Sequence, residues 1–207
     1  MDDNVDKYRK LFSSQINSFF DEEGDKTLLP HLVHFAIVMK DLDISHYQQK
    51  EILNILVNNK DYYFQNNYSL FDGIPLLSIL FLINKDIVGK KYVSIQKQLL
   101  ELIQSMKIDI QDFRNVEYVN GISGLLNYYL ILFQDDCSLI SSERIYMLIE
   151  FIMKHVHQKV YNTLPMNLGL SHGIAGLLLV LSKAFKAGFQ MLGMKSIIWH
   201  LQRILIT

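Results

Sequence analysis

Apolar residues recur along this chain at helical spacing almost everywhere. Tyr8, Leu11, Phe12, Ile16, Phe19 and Phe20 fall on one face of a first predicted helix, which Glu22-Glu23-Gly24 ends. A second helix is predicted over Leu29–Met39, with Pro30 in the first turn, where its missing N–H costs nothing. Ser45 is placed to cap a third, whose inward face holds Ile52, Leu53, Leu56 and Val57. The same spacing predicts helices over Leu70–Asn84, Tyr92–Met106, Val119–Phe133, Ser142–His157, His172–Ala187 and Met194–Ile206. No segment alternates as a half-buried strand would. The one Asn-Gly pair, Asn120-Gly121, opens a helical apolar pattern instead of joining two strands. The pattern predicts an all-α protein.

Three segments then line up with one another. They are Asp72-Gly73-Ile74-Pro75-Leu76-Leu77-Ser78, Asn120-Gly121-Ile122-Ser123-Gly124-Leu125-Leu126 and His172-Gly173-Ile174-Ala175-Gly176-Leu177-Leu178. Their Gly-Ile pairs stand 48 and 52 residues apart. Each opens a helix that is apolar on nearly all sides, and each such helix precedes a more amphipathic one. A period of about fifty residues holding two helices predicts a repeat architecture, with buried helices alternating with half-exposed ones. Small residues at the helix starts permit close backbone approach there.

Composition narrows the possibilities further. The chain has 207 residues, 50% of them apolar, which suits one domain with a sizeable core. Twenty basic and twenty-one acidic side chains are scattered along it, so no basic field favours nucleic acid. The one cysteine, Cys137, excludes an internal disulfide and any zinc site with two thiolates from this chain. Met1-Asp2-Asp3-Asn4 is acidic where a secretory signal would be basic and then apolar. The longest apolar run, Ile74 to Ile83, falls short of the ~20 residues that cross a bilayer. These features predict a soluble, cytoplasmic protein with no transmembrane segment.

The segment Asn167-Leu168-Gly169-Leu170-Ser171-His172-Gly173-Ile174-Ala175-Gly176 resembles the Gly-x-Ala-His-Gly-x-x-Gly signature of the lanthionine synthetase C-like family. Glu117-Tyr118-Val119-Asn120-Gly121-Ile122-Ser123-Gly124 resembles the preceding repeat signature of that family. The resemblance covers the chain from about Leu70 onward, and it implies an α/α toroid of inner and outer helices. It also implies lantibiotic biosynthesis, in which a peptide cysteine thiol adds to dehydrated Ser or Thr and closes a thioether ring. In the full-length family a zinc ion is held by two cysteines and a histidine, in Trp-Cys-x-Gly and Cys-His-Gly motifs. Neither motif occurs here. The resemblance therefore presents residues 1–207 as a single lanthionine-cyclase-like domain, truncated before the zinc-ligand repeats, with no cofactor of its own. The implied partners are a lantibiotic precursor peptide and a complementary C-terminal half or other modification enzymes. Any membrane association would come only through such a biosynthetic complex.

Two site residues follow from the resemblance. His172 matches the signature histidine, an acid or base near the metal, and imidazole titrates where such a group is useful. Glu117, four residues before Gly121, stands where the family carries an aspartate that cooperates with that histidine. Its extra methylene changes the reach of the carboxylate. The other histidines carry less: His155 and His157 point to different sides of a helix, and His31 and His34 lack a third ligand nearby. Two other readings stand beside the cyclase. One is a non-catalytic helical scaffold that binds a precursor peptide or a biosynthetic partner. The other is a toroidal enzyme acting on carbohydrate, for which Glu117 and Asp72 would be the catalytic carboxylates.

Overall fold

The computed structural model describes residues 14, 32–34, 36–37, 46–59, 69–71, 73–105, 116–161 and 167–206. Residues 32–34 and 36–37 are helical, within the predicted second helix. The predicted first helix lies outside the described residues, apart from Ser14. The helices that follow are α1 His46–Asn58, α2 Ile74–Ile83, α3 Lys85–Val88 and α4 Tyr92–Ser105. After them come α5 Ile122–Asp135, α6 Ser142–Tyr161, α7 Ile174–Lys186 and α8 Met194–Ile206. A 3₁₀ turn, Gly89–Lys91, joins α3 to α4. No strand occurs among the described residues.

The near-uniform apolarity of α2 and α5 makes them inner helices. Ile74, Leu77, Leu80 and Phe81 of α2 are buried, and so is every residue of α5 from Ile122 to Leu130. α5 lies between α2 and α7, forming an inner row, and α4, α6 and α8 pack on α2, α5 and α7 respectively. These outer helices bury one stripe only. On α6 that stripe is Ile145, Leu148, Ile149, Ile152 and Val156, at the spacing that returns to the same face every three or four residues. His155 is buried and His157 exposed, so the two do point to different sides.

Three helix starts fall later than the apolar pattern predicts, for one reason. Gly73, Gly121 and Gly173 are extended, with φ of −103°, −122° and −146°, and each helix begins at the isoleucine that follows. The preceding apolar residues, Leu70 and Val119, lie in loops and join neighbouring repeats. The Leu70 N–H donates to the Val119 carbonyl at 3.0 Å, and the Tyr118 N–H donates to the Ser171 carbonyl at 3.0 Å. Counted from the repeat glycine, the residue three before it in one repeat bonds to the residue two before it in the next. The rung recurs unchanged. α2 ends one residue early because the Asn84 side-chain amide donates back to the Leu80 carbonyl, 2.9 Å away. α6 runs on to Tyr161, four residues beyond its predicted end.

Two of the glycines are fixed by this contact. A Cβ on Gly124 would overlap the Tyr118 carbonyl oxygen and stand 3.1 Å from Leu70 Cβ. One on Gly176 would overlap the Leu170 carbonyl oxygen and stand 2.7 Å from Tyr118 Cβ. The third residue of each of these inner helices is thus the seat for the previous repeat's loop.

A polar network is buried within the first two repeats. The Tyr128 hydroxyl donates to Ser78 Oγ at 2.9 Å, Ser78 Oγ donates to Gln96 Oε1, and Gln96 Nε2 donates to the Ser78 carbonyl at 2.8 Å. All three residues are fully buried, and they tie α2, α4 and α5 together. Burial pushes the Tyr128 phenol far up, so it remains a donor through neutral pH.

Candidate functional site: a carboxylate–imidazole pair at the start of the inner helices

The loops before α5 and α7 end side by side, because the Tyr118 N–H to Ser171 carbonyl bond holds them together. Within the second loop, Asn167 Oδ1 accepts the Gly169 N–H at 2.7 Å, and the Asn167 carbonyl accepts the Ile174 N–H at 2.8 Å. This closed turn seats Gly173 against the Asn167 carbonyl, where any Cβ would overlap it. His172 is thereby presented on the outside of the turn. In the first loop, Ser123 Oγ donates to the Val116 carbonyl at 2.6 Å, anchoring the residue before Glu117.

The two site residues expected from the resemblance are brought together. His172 Nδ1 and Glu117 Oε2 are in direct hydrogen-bonding contact across 55 residues of sequence. His172 is exposed and Glu117 half-buried. A carboxylate on Nδ1 fixes the orientation of the ring and leaves Nε2 free of that contact. The extra methylene of Glu117 does not prevent the contact.

The previous pair of repeats makes a matching contact. Ser69 stands four residues before Gly73 as Glu117 does before Gly121, and Asn120 precedes Gly121 as His172 precedes Gly173. Ser69 Oγ and Asn120 Oδ1 are 2.9 Å apart. The acid–base pair is therefore one position of a repeated side-chain contact. Lining up the three segments could have revealed Ser69 and Asn120, but nothing in their residue types draws attention to them.

The remaining candidates are not drawn into the site. Cys137 is exposed in the loop beyond the far end of α5, a helix ~20 Å long whose start lies beside Glu117. His34 is exposed on an early helical segment, while His31 and Asp72 lie outside the described residues. Glu117 meets an imidazole, and its separation from Asp72, the other carboxylate of the carbohydrate reading, lies outside what the described residues define. No three His, Cys, Asp or Glu side chains converge to hold a metal among the described residues.

A row of inner helices sheathed by outer ones, with a carboxylate–imidazole pair where the inner helices begin, is the layering of an α/α toroid. The family model for lanthionine synthetase C-like protein matches residues 32–203, and the chain belongs to that family. Among solved structures it is similar to nisin cyclase, an α/α toroid, with a TM-score of 0.67 and 18% sequence identity. The match covers 97% of this chain and 57% of nisin cyclase, so the chain spans little more than half of that protein's length. No curated protein sequence matches it. Among the described residues no helix is long and apolar enough to cross a membrane.

Proposed function

We propose that this chain supplies the proton-transfer groups of a lanthionine-forming cyclase. The observation that supports this reading is the Glu117–His172 contact, made between two repeats by residues far apart in sequence. In ring closure a peptide thiolate adds to the β-carbon of dehydroalanine or dehydrobutyrine, forming the C–S bond. The π electrons move onto the carbonyl as an enolate, and the α-carbon then takes a proton. His172 Nε2 hands over that proton while Glu117 holds Nδ1 and fixes the ring's orientation. The thiol must be deprotonated before it attacks. That role falls to zinc-bearing repeats on a complementary polypeptide, and the chain alone is inactive in ring closure. Its substrate is a dehydrated precursor peptide, and its compartment is the cytoplasm.

The test is ring closure on a dehydrated precursor peptide, by this chain together with a polypeptide that supplies zinc-bearing repeats. Loss of free thiol is followed by alkylation and mass spectrometry. His172→Asn should slow closure by ~10²–10⁴-fold, the usual contribution of a general acid, while peptide binding persists. An unchanged rate would leave Glu117–His172 as a contact that only holds two repeats together.

A further inference from the structure

The acid–base pair has a counterpart one repeat earlier, and both leave a nitrogen facing solvent-accessible space. Asn120 and His172 each stand just before a repeat glycine and each is exposed. Each is also met by a side chain four residues before the previous repeat's glycine. Glu117 meets His172 at Nδ1, and Ser69 meets Asn120 at Oδ1. One nitrogen of each is left over, Nε2 on His172 and Nδ2 on Asn120. Among the described residues no partner meets either one.

A chain of hydrogen bonds sets the Asn120 amide. The Phe71 N–H donates to Ser69 Oγ at 3.2 Å, and Ser69 Oγ donates to Asn120 Oδ1 at 2.9 Å. Ser69 itself is buried, so the hydroxyl has little freedom to turn away. A hydroxyl that accepts from one group donates more strongly to the next, and an amide that accepts at its oxygen donates more strongly at its nitrogen. Nδ2 is therefore a fixed and polarised donor. Phe71 stands beside it, tied to the same hydroxyl, with 45% of its surface exposed. Val119, adjacent to Asn120, is half-buried. A single donor beside apolar surface suits one residue of a peptide, the donor taking its main-chain carbonyl and the apolar surface its side chain.

We infer that Asn120 and Phe71 form a subsite for the precursor peptide, in which Asn120 Nδ2 donates to a backbone carbonyl two or three residues from the dehydrated residue at His172 and Phe71 packs on an apolar side chain there. The reach follows from the fold. α5 and α7 are neighbours, packed helices lie ~8–10 Å apart, and Asn120 and His172 hold the same place at their starts. An extended peptide advances ~3.3–3.6 Å per residue, so two or three residues span that interval. Ser69 touches Asn120 and not the peptide, which makes it a positioning residue. The subsite rests on a dehydrated peptide being the substrate and not on the proton step at His172.

The experiment uses the peptide acetyl-Ile-Ile-Ala-dehydroalanine-Ala-Ile-Ile-amide as its probe. It carries apolar residues two and three places from the dehydroalanine on both sides, and it has no cysteine to close a ring. The probe is titrated into the isotope-labelled full chain, and the Asn120 side-chain amide signals, identified by their loss in Asn120→Asp, are followed by NMR. They should move and saturate. Asn120→Asp keeps an oxygen for Ser69 and exchanges the donor for a carboxylate. That variant should melt where the parent melts and bind the probe ~5–30-fold more weakly, the usual effect of one lost hydrogen bond. Replacing the four isoleucines of the probe by alanine should weaken binding to the parent by ~10-fold or more, and binding to Phe71→Ser by much less. No ring closes in this titration, so a failure of His172 as proton donor would leave its outcome intact. No saturable binding would overturn the subsite, as would saturation that leaves the Asn120 signals in place. Asn120→Asp binding as tightly as the parent, or an equal loss on the alanine probe with and without Phe71, would overturn it too.

Discussion

Gly176→Ala sets two effects of opposite sign against each other, and the structure decides between them. Gly176 is the third residue of α7, where replacing Gly with Ala in an open helix would stabilise by about 1 kcal/mol. Here the new methyl group overlaps the Leu170 carbonyl oxygen and lies 2.7 Å from Tyr118 Cβ. Neither neighbour is the free end of a flexible side chain. The Leu170 carbonyl belongs to the closed Asn167–Ile174 turn, and Tyr118 is held by its N–H bond to Ser171. Overpacking of this kind costs ~1–3 kcal/mol. Losing or stretching the inter-repeat hydrogen bond adds about 1 kcal/mol. The net expectation is a destabilisation of ~1–3 kcal/mol, or ~3–10 °C in Tm for a chain of this size. Leu170 is two residues from His172 and Tyr118 is adjacent to Glu117, so the displacement also separates the pair. Thermal and urea melts followed by circular dichroism measure the stability change, and imidazole NMR signals report on the pair. Gly188→Ala provides the contrast. That glycine has φ of +94° with nothing within 4 Å, so Ala costs ~1–2 kcal/mol of backbone strain and leaves the His172 signals unmoved. A Gly176→Ala chain as stable as the parent, with unaltered imidazole signals, would refute the close approach on which the inter-repeat contact depends.

Gln96→Leu should destabilise by ~2–3 kcal/mol in urea titration, because the Ser78 carbonyl and hydroxyl lose their partner in a fully buried site. Tyr128→Phe should cost only about 1 kcal/mol, since Ser78 keeps its bond to Gln96. Alkali should unfold the chain through its tyrosines. Burial raises Tyr92, Tyr118, Tyr128 and Tyr129 above their ordinary value of 10.0, so the folded state holds their protons longer. Their contribution is intact below pH 10 and declines as pH rises beyond it, so the urea midpoint should fall as pH is raised above 10, less steeply in Tyr128→Phe. Elemental analysis after dialysis should find no stoichiometric zinc, because the single cysteine lies far from Glu117 and His172. One tightly held zinc per chain would contradict that.

Much of the fold was legible because each inner helix needs the same things at its start. At Gly173 the missing Cβ leaves room for the Asn167 carbonyl, and a mostly apolar helix follows each repeat glycine, so the spacing of Gly73, Gly121 and Gly173 disclosed the repeats directly. The helix boundaries were less legible. Leu70 and Val119 are apolar at helical spacing, but their burial comes from the neighbouring repeat's loop, and periodicity does not distinguish loop burial from helix burial. The buried Ser78–Gln96–Tyr128 network was missed for a related reason. Ser78 interrupts the apolar run Ile74–Ile83 without marking a partner, and nothing local to Gln96 shows that its amide faces inward.

The site was legible only in part, and the reason lies in how repeats communicate. His172 and Glu117 were identifiable as residue types in matching motifs, but sequence spacing says nothing about a contact made across 55 residues. That contact follows from the architecture. The rung from Tyr118 to Ser171 fixes the offset between two loops, and this offset brings a side chain four residues before one glycine against the side chain just before the next. Ser69 and Asn120 occupy the same two places one repeat earlier and meet in the same way, although they are a hydroxyl and an amide. The scaffold thus supplies the proximity, and residue type decides the chemistry. Glutamate in place of aspartate still reaches the imidazole because the backbone offset determines which side chains meet, while one methylene changes only the angle of approach. Glu117→Asp should therefore keep the pair but lengthen it, and Glu117→Gln should keep the hydrogen bond while removing the carboxylate charge. If charge stabilisation matters to proton transfer, the glutamine variant is the slower of the two in ring closure, with the aspartate variant near the parent. Equal rates for Glu117→Gln and the parent would show that Glu117 only orients the ring.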